Sequence, residues 1–330
     1  MECPYCTASL PDEDAFCEEC GKPVHPPVAQ PAPAASCPSC GAPPDEIAED
    51  GYCDRCGHLA RRPASDHVEL VLSPDFVGVS DRGLKHQRNE DRFGMRQAGV
   101  GYVLVVCDGV SSSTQSELAS SAVAEHVSQA LESVLLRHSA SSPERNMRVA
   151  IQEAQDALAA ATAAGQSDPP STTVVAALVN GVDVTIGWAG DSRAYWIAAG
   201  GEAQQLTADH SWMNEAVAAG VVSLEEASHS PNAHGITRWL GADAGDNARA
   251  DVVHFRIPGP GYLLLCTDGL WNYAEDPAEL CRLLEGAGSD PPLDITRRLI
   301  DFANAQGGHD NITAVLLRAC EPANPGSENG

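Results

Sequence analysis

Two short aliphatic segments end in the same way, and together they constrain the fold more than any other feature. Residues 103–107 run into Asp108-Gly109, and residues 262–266 are followed one residue later by Asp268-Gly269. Brief apolar runs of this kind predict buried strands. Each strand would deliver a carboxylate at its end, and clustered carboxylates repel one another unless a cation lies between them. The pattern favours a hard-metal site, although either Asp-Gly pair alone also fits a simple strand-ending turn.

Length and charge narrow the class of protein. A chain of 330 residues is long enough for a domain of about 250 residues with a smaller appendage. Its 20 Lys and Arg against 46 Asp and Glu give a net charge of -26, so the basic patches that bind nucleic acid or an anionic membrane are scarce. Neither a signal peptide nor an apolar run of the roughly 18 residues that span a bilayer is visible. We expect a cytoplasmic protein.

Four Cys-x-x-Cys pairs in the first 60 residues predict two zinc ribbons. The first unit would use Cys3, Cys6, Cys17 and Cys20, and the second Cys37, Cys40, Cys53 and Cys56. Four thiolates suit tetrahedral Zn²⁺, and segments with so little aliphatic core need such a cross-link to fold. Disulfides are the alternative, but they fit poorly with the missing secretory signal. Residues 1–60 hold eleven acidic and two basic side chains, so we expect the ribbons to recruit a protein partner rather than nucleic acid.

The composition also divides the chain into segments. We predict zinc ribbon 1 at 1–24, a Pro/Ala linker at 25–36, zinc ribbon 2 at 37–60, a linker at 61–73, a main domain at 74–320 and a disordered tail at 321–330. In the main domain, strands and consecutive helices lack strict alternation, which indicates an α+β layered sandwich with helices outside. A Rossmann-like fold is disfavoured because no G-x-G-x-x-G follows the first strand.

Five acidic loci lie at predicted strand ends or in adjacent loops: Glu90-Asp91, Asp108-Gly109, Asp191 in Gly-Asp-Ser-Arg, Asp268-Gly269 and Asp310-Asn311. In this order they resemble the metal-dependent type-2C Ser/Thr protein phosphatases, and the match runs from about Phe76 to Arg318. The resemblance implies a four-layer α-β-β-α sandwich of two antiparallel sheets flanked by helix pairs. It also implies hydrolysis of phosphoserine and phosphothreonine in phosphoproteins, with Ser/Thr kinases and their targets as substrates.

The resemblance implies a two-metal Mg²⁺ or Mn²⁺ site. Asp108 would bridge the two ions, Asp268 and Asp310 would ligate one of them, and the Gly109 carbonyl would ligate the other. Two such ions lower the pKa of a shared water and neutralise phosphoryl oxygens during in-line attack.

Three more acidic residues have implied roles around these ions. Glu90 would reach a metal through a water, Asp91 would orient a water, and Asp191 would bind a third, weaker ion of the kind seen in bacterial members.

Two departures from the family pattern concern the phosphate and the proton. The family usually places a phosphate-binding Arg five residues before the loop Asp, where this chain has His86; Lys85 and Arg88 are alternative sources of charge. Many members carry a His soon after the first Asp-Gly, where this chain has Val110, so His86 is also a candidate proton donor. These departures motivate an alternative function, a weak or inactive pseudophosphatase that binds phosphoproteins.

Overall fold

The computed structural model describes residues 36–37, 39–48, 51, 53–57, 66–137, 141–162, 166–286 and 290–319. The chain divides into two units, Met1–Pro63 and Ala64–Gly330. Predicted zinc ribbon 1 with its four cysteines, all but the last residue of the Pro/Ala linker, and the predicted tail lie outside the described residues. Among the residues that are described, no helix combines the length and apolar character needed to cross a membrane.

The larger unit contains strands and helices that do not strictly alternate, as the sequence indicates. Its strands are β1 (His67–Ser73), β2 (Phe76–Asp81), β3 (Arg92–Ala98), β4 (Gly101–Cys107), β5 (Ser171–Thr172), β6 (Val174–Asn180), β7 (Asp183–Ala189), β8 (Arg193–Ala198), β9 (Ala203–Gln205), β10 (Leu240–Gly241), β11 (Asp251–Arg256), β12 (Gly261–Cys266) and β13 (Ile312–Ala319). Its helices are α1 (Ser116–Arg137), α2 (Pro143–Ala161), α3 (Trp212–Ala218), α4 (Leu224–Ser228), α5 (Asp268–Trp271), α6 (Pro277–Leu284) and α7 (Pro292–Ala305).

Two antiparallel sheets pack face to face. One sheet has the strand order β1-β2-β13-β12-β8-β9, and the other has the order β11-β7-β6-β4-β3. Apolar side chains from both sheets, including Phe76, Ile186 and Leu263, form the core between them. Helices α1 and α2 cover the outer face of the five-stranded sheet, and α6 and α7 cover that of the six-stranded sheet. The predicted four-layer α-β-β-α sandwich is therefore confirmed.

Strand β4 is buried on both faces, which explains its uninterrupted apolar sequence. Val103 and Val105 point toward the α1 side, and Leu104 and Val106 point into the core between the sheets. A strand with two buried faces reads as a continuous apolar run rather than an alternating one. This central strand holds the Asp108 backbone at a fixed place at the end of the sheet.

The predicted linker at 61–73 is wrong for its last seven residues. Residues 67–73 form β1, which pairs antiparallel with β2 at the edge of the six-stranded sheet. An edge strand has one hydrogen-bonded neighbour, and here its side chains are mostly exposed. The segment therefore lacks the buried apolar run by which the sequence reveals β4 and β12.

His67 on this edge strand contacts two carboxylates, of which Asp81 lies on the neighbouring strand β2 and Glu69 lies on β1 itself. Its Nδ1 lies 2.8 Å from Asp81 Oδ2, and its Nε2 lies 3.2 Å from Glu69 Oε1. Burial lowers the pKa of His67, but the two carboxylates raise it by more than burial lowers it, so the pKa lies above its ordinary value. Stability from such a histidine is complete below the unfolded-state pKa and is lost as the pH rises through the folded-state pKa.

We expect His67→Gln to lower the free energy of unfolding by about 0.5 kcal/mol near pH 5.5 and by less near pH 8.5, because the pair is half exposed. Urea denaturation at both pH values measures the difference. Arg297→Gln is the control, since its guanidinium donates to Glu69 and stays charged across this range. An equal loss at both pH values for His67→Gln would contradict the prediction.

Candidate functional site

The four cysteines of predicted ribbon 2 converge in the smaller unit. The sulfur atoms of Cys37, Cys40, Cys53 and Cys56 all lie within 4.8 Å of one another. The two Cys-x-x-Cys turns close through backbone hydrogen bonds, from Gly41 N to Cys37 O and from Gly57 N to Cys53 O. Both glycines adopt a positive φ, at 71° and 69°, which is the conformation that glycine accepts without strain. Four thiolates so gathered fit a tetrahedral zinc ion.

In the larger unit, buried carboxyl groups repel one another at one end of the sandwich. The pKa of Asp108 is raised well above its ordinary value, first by burial and then by repulsion from Asp91, Asp268, Asp191 and Asp310. Burial and neighbouring carboxylates also raise the pKa of Asp91 and of Asp191 to about 8, and that of Asp268 to about 6. Strands β4 and β12 thus bring together the charges that the sequence placed at their ends.

The Asp268 carboxylate contains a buried oxygen that fits a cation. No donor among the described residues reaches its Oδ1, its Oδ2 accepts from Asn272 Nδ2 at 3.2 Å, and the neighbouring carboxyl group of Asp108 is close enough to lower the pKa of Asp268 through a side-chain hydrogen bond. An unsatisfied buried carboxylate oxygen is costly, and a divalent cation would both satisfy it and neutralise its neighbours. The aspartates are less tightly gathered than the thiolates, since among the described residues only the four cysteines form a group of three or more potential metal ligands whose atoms all lie within 4.8 Å of one another.

Asn311 holds the Glu90-Asp91 loop against the turn before β13 that carries Asp310. Its Nδ2 donates to the carbonyl oxygens of Arg82 and Arg88 at 2.8 and 3.1 Å, and its Oδ1 accepts from Glu90 N at 2.7 Å. One side chain therefore closes three hydrogen bonds to a loop that is more than 200 residues away in sequence. The Asp-Asn pair noted in the sequence supplies both a carboxylate and this clamp.

Two glycines allow these loops to approach closely. A Cβ on Gly109 would lie 2.7 Å from Glu90 O, and a Cβ on Gly269 would lie 1.9 Å from Asn311 O. Any other residue at these positions would push the loops apart. The glycine in each Asp-Gly pair is thus required by packing as well as by the turn.

Threonines that the sequence analysis missed position two of the aspartates. Thr267 Oγ1 donates to Asp91 Oδ2 at 2.9 Å, and it accepts from Thr313 N at 3.0 Å. Thr172 Oγ1 donates to Asp108 O at 2.7 Å. Thr267 directly precedes Asp268 in the sequence, so its place near the aspartates could have been predicted. No sequence pattern predicts that Thr172 contacts Asp108.

Comparison with known proteins agrees with this geometry. The family profile of protein phosphatase 2C matches residues 82–315. The chain belongs to the protein phosphatase 2C family. A double zinc ribbon profile also matches residues 3–57, so the phosphatase unit follows a pair of ribbons.

Relatives of this phosphatase unit are bacterial. Serine/threonine phosphatase stp of Listeria welshimeri is 30% identical over 241 residues, which cover 72% of this chain and 93% of that protein. A crystal structure of a bacterial serine phosphatase superposes with a TM-score of 0.63 at 30% identity, covering 74% of this chain and 98% of the other. Stp1 from Staphylococcus aureus gives a TM-score of 0.62 at 30% identity, covering 77% and 98%. Phosphatases 2C use Mg²⁺ or Mn²⁺, which the carboxylates described above fit.

Of the three candidate phosphate-binding residues in this phosphatase unit, Lys85 is exposed, and the other two occupy different surroundings. His86 Nε2 lies 3.2 Å from Asp310 Oδ1, and the His86 side chain is 26% exposed. The Arg88 guanidinium lies 2.9 Å from Glu117 Oε1 on α1 and is 63% exposed. His86 therefore lies at the cluster of aspartates, whereas Arg88 is turned toward the outer helix.

Proposed function

We propose that this chain hydrolyses phosphoserine and phosphothreonine in proteins with the help of Mg²⁺ or Mn²⁺. The observation that carries the proposal is the set of buried acidic side chains at one end of the sandwich: burial and neighbouring carboxylates raise the pKa of Asp91, Asp108, Asp191 and Asp268, and no donor among the described residues reaches the buried Asp268 Oδ1. They lie at one end of a protein phosphatase 2C sandwich. The relatives with this activity in their names are matched over nearly their full length.

We propose the following roles for the residues that would bind the two main cations. Asp108 would hold both cations, Asp268 and Asp310 would hold one of them, and the Gly109 carbonyl would hold the other. Cations bound there supply a water that is nucleophilic at neutral pH and neutralise charge on the phosphoryl oxygens. The sheet fixes Asp108, since Thr172 and Thr173 both donate to its carbonyl oxygen.

In the same proposal, three further acidic residues position water molecules or bind a third cation. Glu90 reaches a cation through water and is oriented by Ser111, whose hydroxyl donates to Glu90 Oε2 at 3.1 Å. Asp91 orients a water, and the Thr267 hydroxyl fixes its carboxylate. Asp191 binds the third, weaker ion, and Trp271 Nε1 steadies its backbone by donating to Asp191 O at 2.9 Å.

The first experiment is hydrolysis of p-nitrophenyl phosphate and of a phosphothreonine peptide by the full chain with Mn²⁺. We expect turnover that EDTA abolishes and that added Mn²⁺ restores. Isothermal titration calorimetry with the phosphopeptide and with Mn²⁺ tests the pseudophosphatase alternative. Phosphopeptide binding without hydrolysis, whether or not Mn²⁺ binds, would support that alternative and overturn the proposal.

We propose that His86 contacts the substrate phosphate in place of the family's Arg, because it lies beside Asp310. An Arg offers a permanent charge and bidentate hydrogen bonds to phosphate. We therefore expect His86→Arg to lower KM for a phosphopeptide by about three- to tenfold, and His86→Ala to raise it.

Arg88→Gln is the matched control for this series, since Arg88 is paired with Glu117. Its KM should stay within about twofold of the wild type, as expected for an exposed ion pair. Steady-state kinetics on one phosphopeptide compares the three variants. If Arg88→Gln raised KM as much as His86→Ala, the phosphate contact would belong to Arg88.

We further propose Ser/Thr kinases and their targets as the phosphoprotein substrates, and a protein partner for the zinc ribbons. A cytoplasmic location fits both, because clustered cysteines stay reduced and available to zinc in that compartment. The acidic ribbons support a protein rather than a nucleic acid as their partner.

A further inference from the structure

A cavity of about 250 Å³ lies beside the cluster of aspartates. Three segments that are distant in sequence form it: the loop after β4, the segment before β5, and the residues on either side of β10. Its lining includes Val110, Ser112, Asp168, Ile236, Trp239 and Asp243. We call it the side cavity.

The side cavity adjoins the chain that carries Asp108. Val110, two residues after Asp108, donates its N–H to Ser171 O at 3.0 Å, and the next residue, Thr172, donates its hydroxyl to Asp108 O. A phosphorylated residue bound at Asp108 would therefore place neighbouring substrate residues over the cavity. Since an extended peptide advances about 3.3 Å per residue, the cavity is within reach of a side chain roughly two to four positions away.

The lining of the side cavity is acidic and aromatic. Asp168 and Asp243 contribute exposed carboxylates, and no Lys or Arg is present among the described residues that line it. The guanidinium of Arg238, the residue before Trp239, is paired outside the lining: it lies 3.2 Å from Asp251 Oδ1 and donates to Arg249 O.

Trp239 gives this cavity a flat wall of fixed orientation. Its Nε1 donates to Asp243 Oδ1 at 3.1 Å, and that same oxygen accepts from Ser171 Oγ at 3.2 Å. A cationic side chain that lies against the face of a Trp and between carboxylates gains both cation–π and charge attraction.

The rim at Asp168 is also held in place. Its φ of 140° is rare for a residue other than glycine, though Asp and Asn accept positive φ more readily than most. The Asp168 carbonyl accepts from Thr114 N at 3.1 Å and from Thr114 Oγ1 at 2.7 Å. A preformed site of this kind loses little conformational entropy on binding.

We propose that the side cavity is a specificity subsite that receives an Arg or Lys side chain of the phosphoprotein substrate. This inference rests on the proposed function, since it names the class of substrate that the same active site prefers. It assigns Asp168, Asp243 and Trp239 to substrate selection, apart from the residues that act on the phosphate.

The test is a phosphothreonine peptide scan with Arg, Ala or Glu at each of the four positions on either side of the phosphorylated residue. We expect kcat/KM to be about tenfold higher for Arg than for Ala at one of these positions, and lower for Glu. Raising the salt concentration should shrink the preference. Binding of the same peptides is measured in parallel by fluorescence anisotropy.

Variants of the full chain identify the source of the preference. Asp168→Asn and Asp243→Asn keep the side-chain shape and remove the charge, and the double variant should reduce the ratio of Arg to Ala peptides to about twofold or less. Asp246→Asn is the control, since it removes an exposed acid from the same region that does not line the cavity. Its ratio should match the wild type.

Failure of the subsite proposal and failure of the proposed function would give different results. Equal hydrolysis and equal binding of Arg, Ala and Glu peptides, or an unchanged ratio in the double variant, would overturn the subsite and leave the phosphatase activity intact. Absence of hydrolysis of any peptide or of p-nitrophenyl phosphate would overturn the proposed function, and the anisotropy measurements would still decide whether the cavity prefers a basic side chain.

Discussion

Asp108→Asn is expected to reduce hydrolysis of p-nitrophenyl phosphate and of phosphopeptides by about a thousandfold or more, an effect of several kcal/mol on the barrier. Asp108 lies at the centre of the aspartate cluster, where four other carboxyl groups repel it. Asn has the same shape but cannot supply the negative charge that holds two cations. Steady-state rates with saturating Mn²⁺ measure the loss.

The same substitution should change thermal stability in a way that simple misfolding would not. Asn replaces a carboxyl group that is buried among other carboxyl groups and costly to ionise, so without divalent cations the variant should melt about 2–4 °C above the wild type. Mn²⁺ should raise the melting temperature of the wild type and have little effect on the variant. Asp301→Asn, an exposed substitution on α7, is the control and should behave like the wild type. Activity within tenfold of the wild type would remove Asp108 from the centre of the mechanism.

The central strands and the loops that carry charge were predictable because their physical constraints are local in sequence. A strand buried on both faces must be apolar along its length, so residues 103–107 and 262–266 are recognisable without any structure. Asp108 and Asp268 are predictable in the same way, because the end of a buried strand fixes the position of the side chains that come just after it. Asn311 is recognisable in the sequence as part of an Asp-Asn motif. Its hydrogen bonds to the Glu90-Asp91 loop are not, because that loop is more than 200 residues away.

Features that arise from contacts between distant segments were not predictable from the sequence. Residues 67–73 form a strand only because β2 offers a free edge, and their exposed side chains give no burial pattern. Thr172 became a positioning residue through a hydrogen bond to Asp108 that spans 64 residues. The side cavity likewise joins Asp168 to Trp239 and Asp243, and its acidic character emerges only when the fold brings them together.

Cys53→Ser is expected to lower the zinc content from two ions per chain to one and to unfold ribbon 2. Its sulfur lies 3.6 Å from that of Cys40 within the four-cysteine cluster. A hydroxyl is a poor zinc ligand, and a structural zinc contributes about 10–16 kcal/mol to the folding of such a peptide. Elemental analysis of the purified chain measures the zinc content, and limited proteolysis reports whether the ribbon is folded.

Cys281→Ser is the matched control, because Cys281 is a buried cysteine of the larger unit and does not belong to the cluster. It should leave the zinc content unchanged and lower the melting temperature of the phosphatase unit slightly, since it places a hydroxyl in an apolar core. Cys53→Ser should have the opposite pattern, with zinc lost and the melting of the phosphatase unit unchanged, because Cys53 belongs to the other compact unit. Unchanged zinc content in Cys53→Ser would mean that these thiols do not hold the metal.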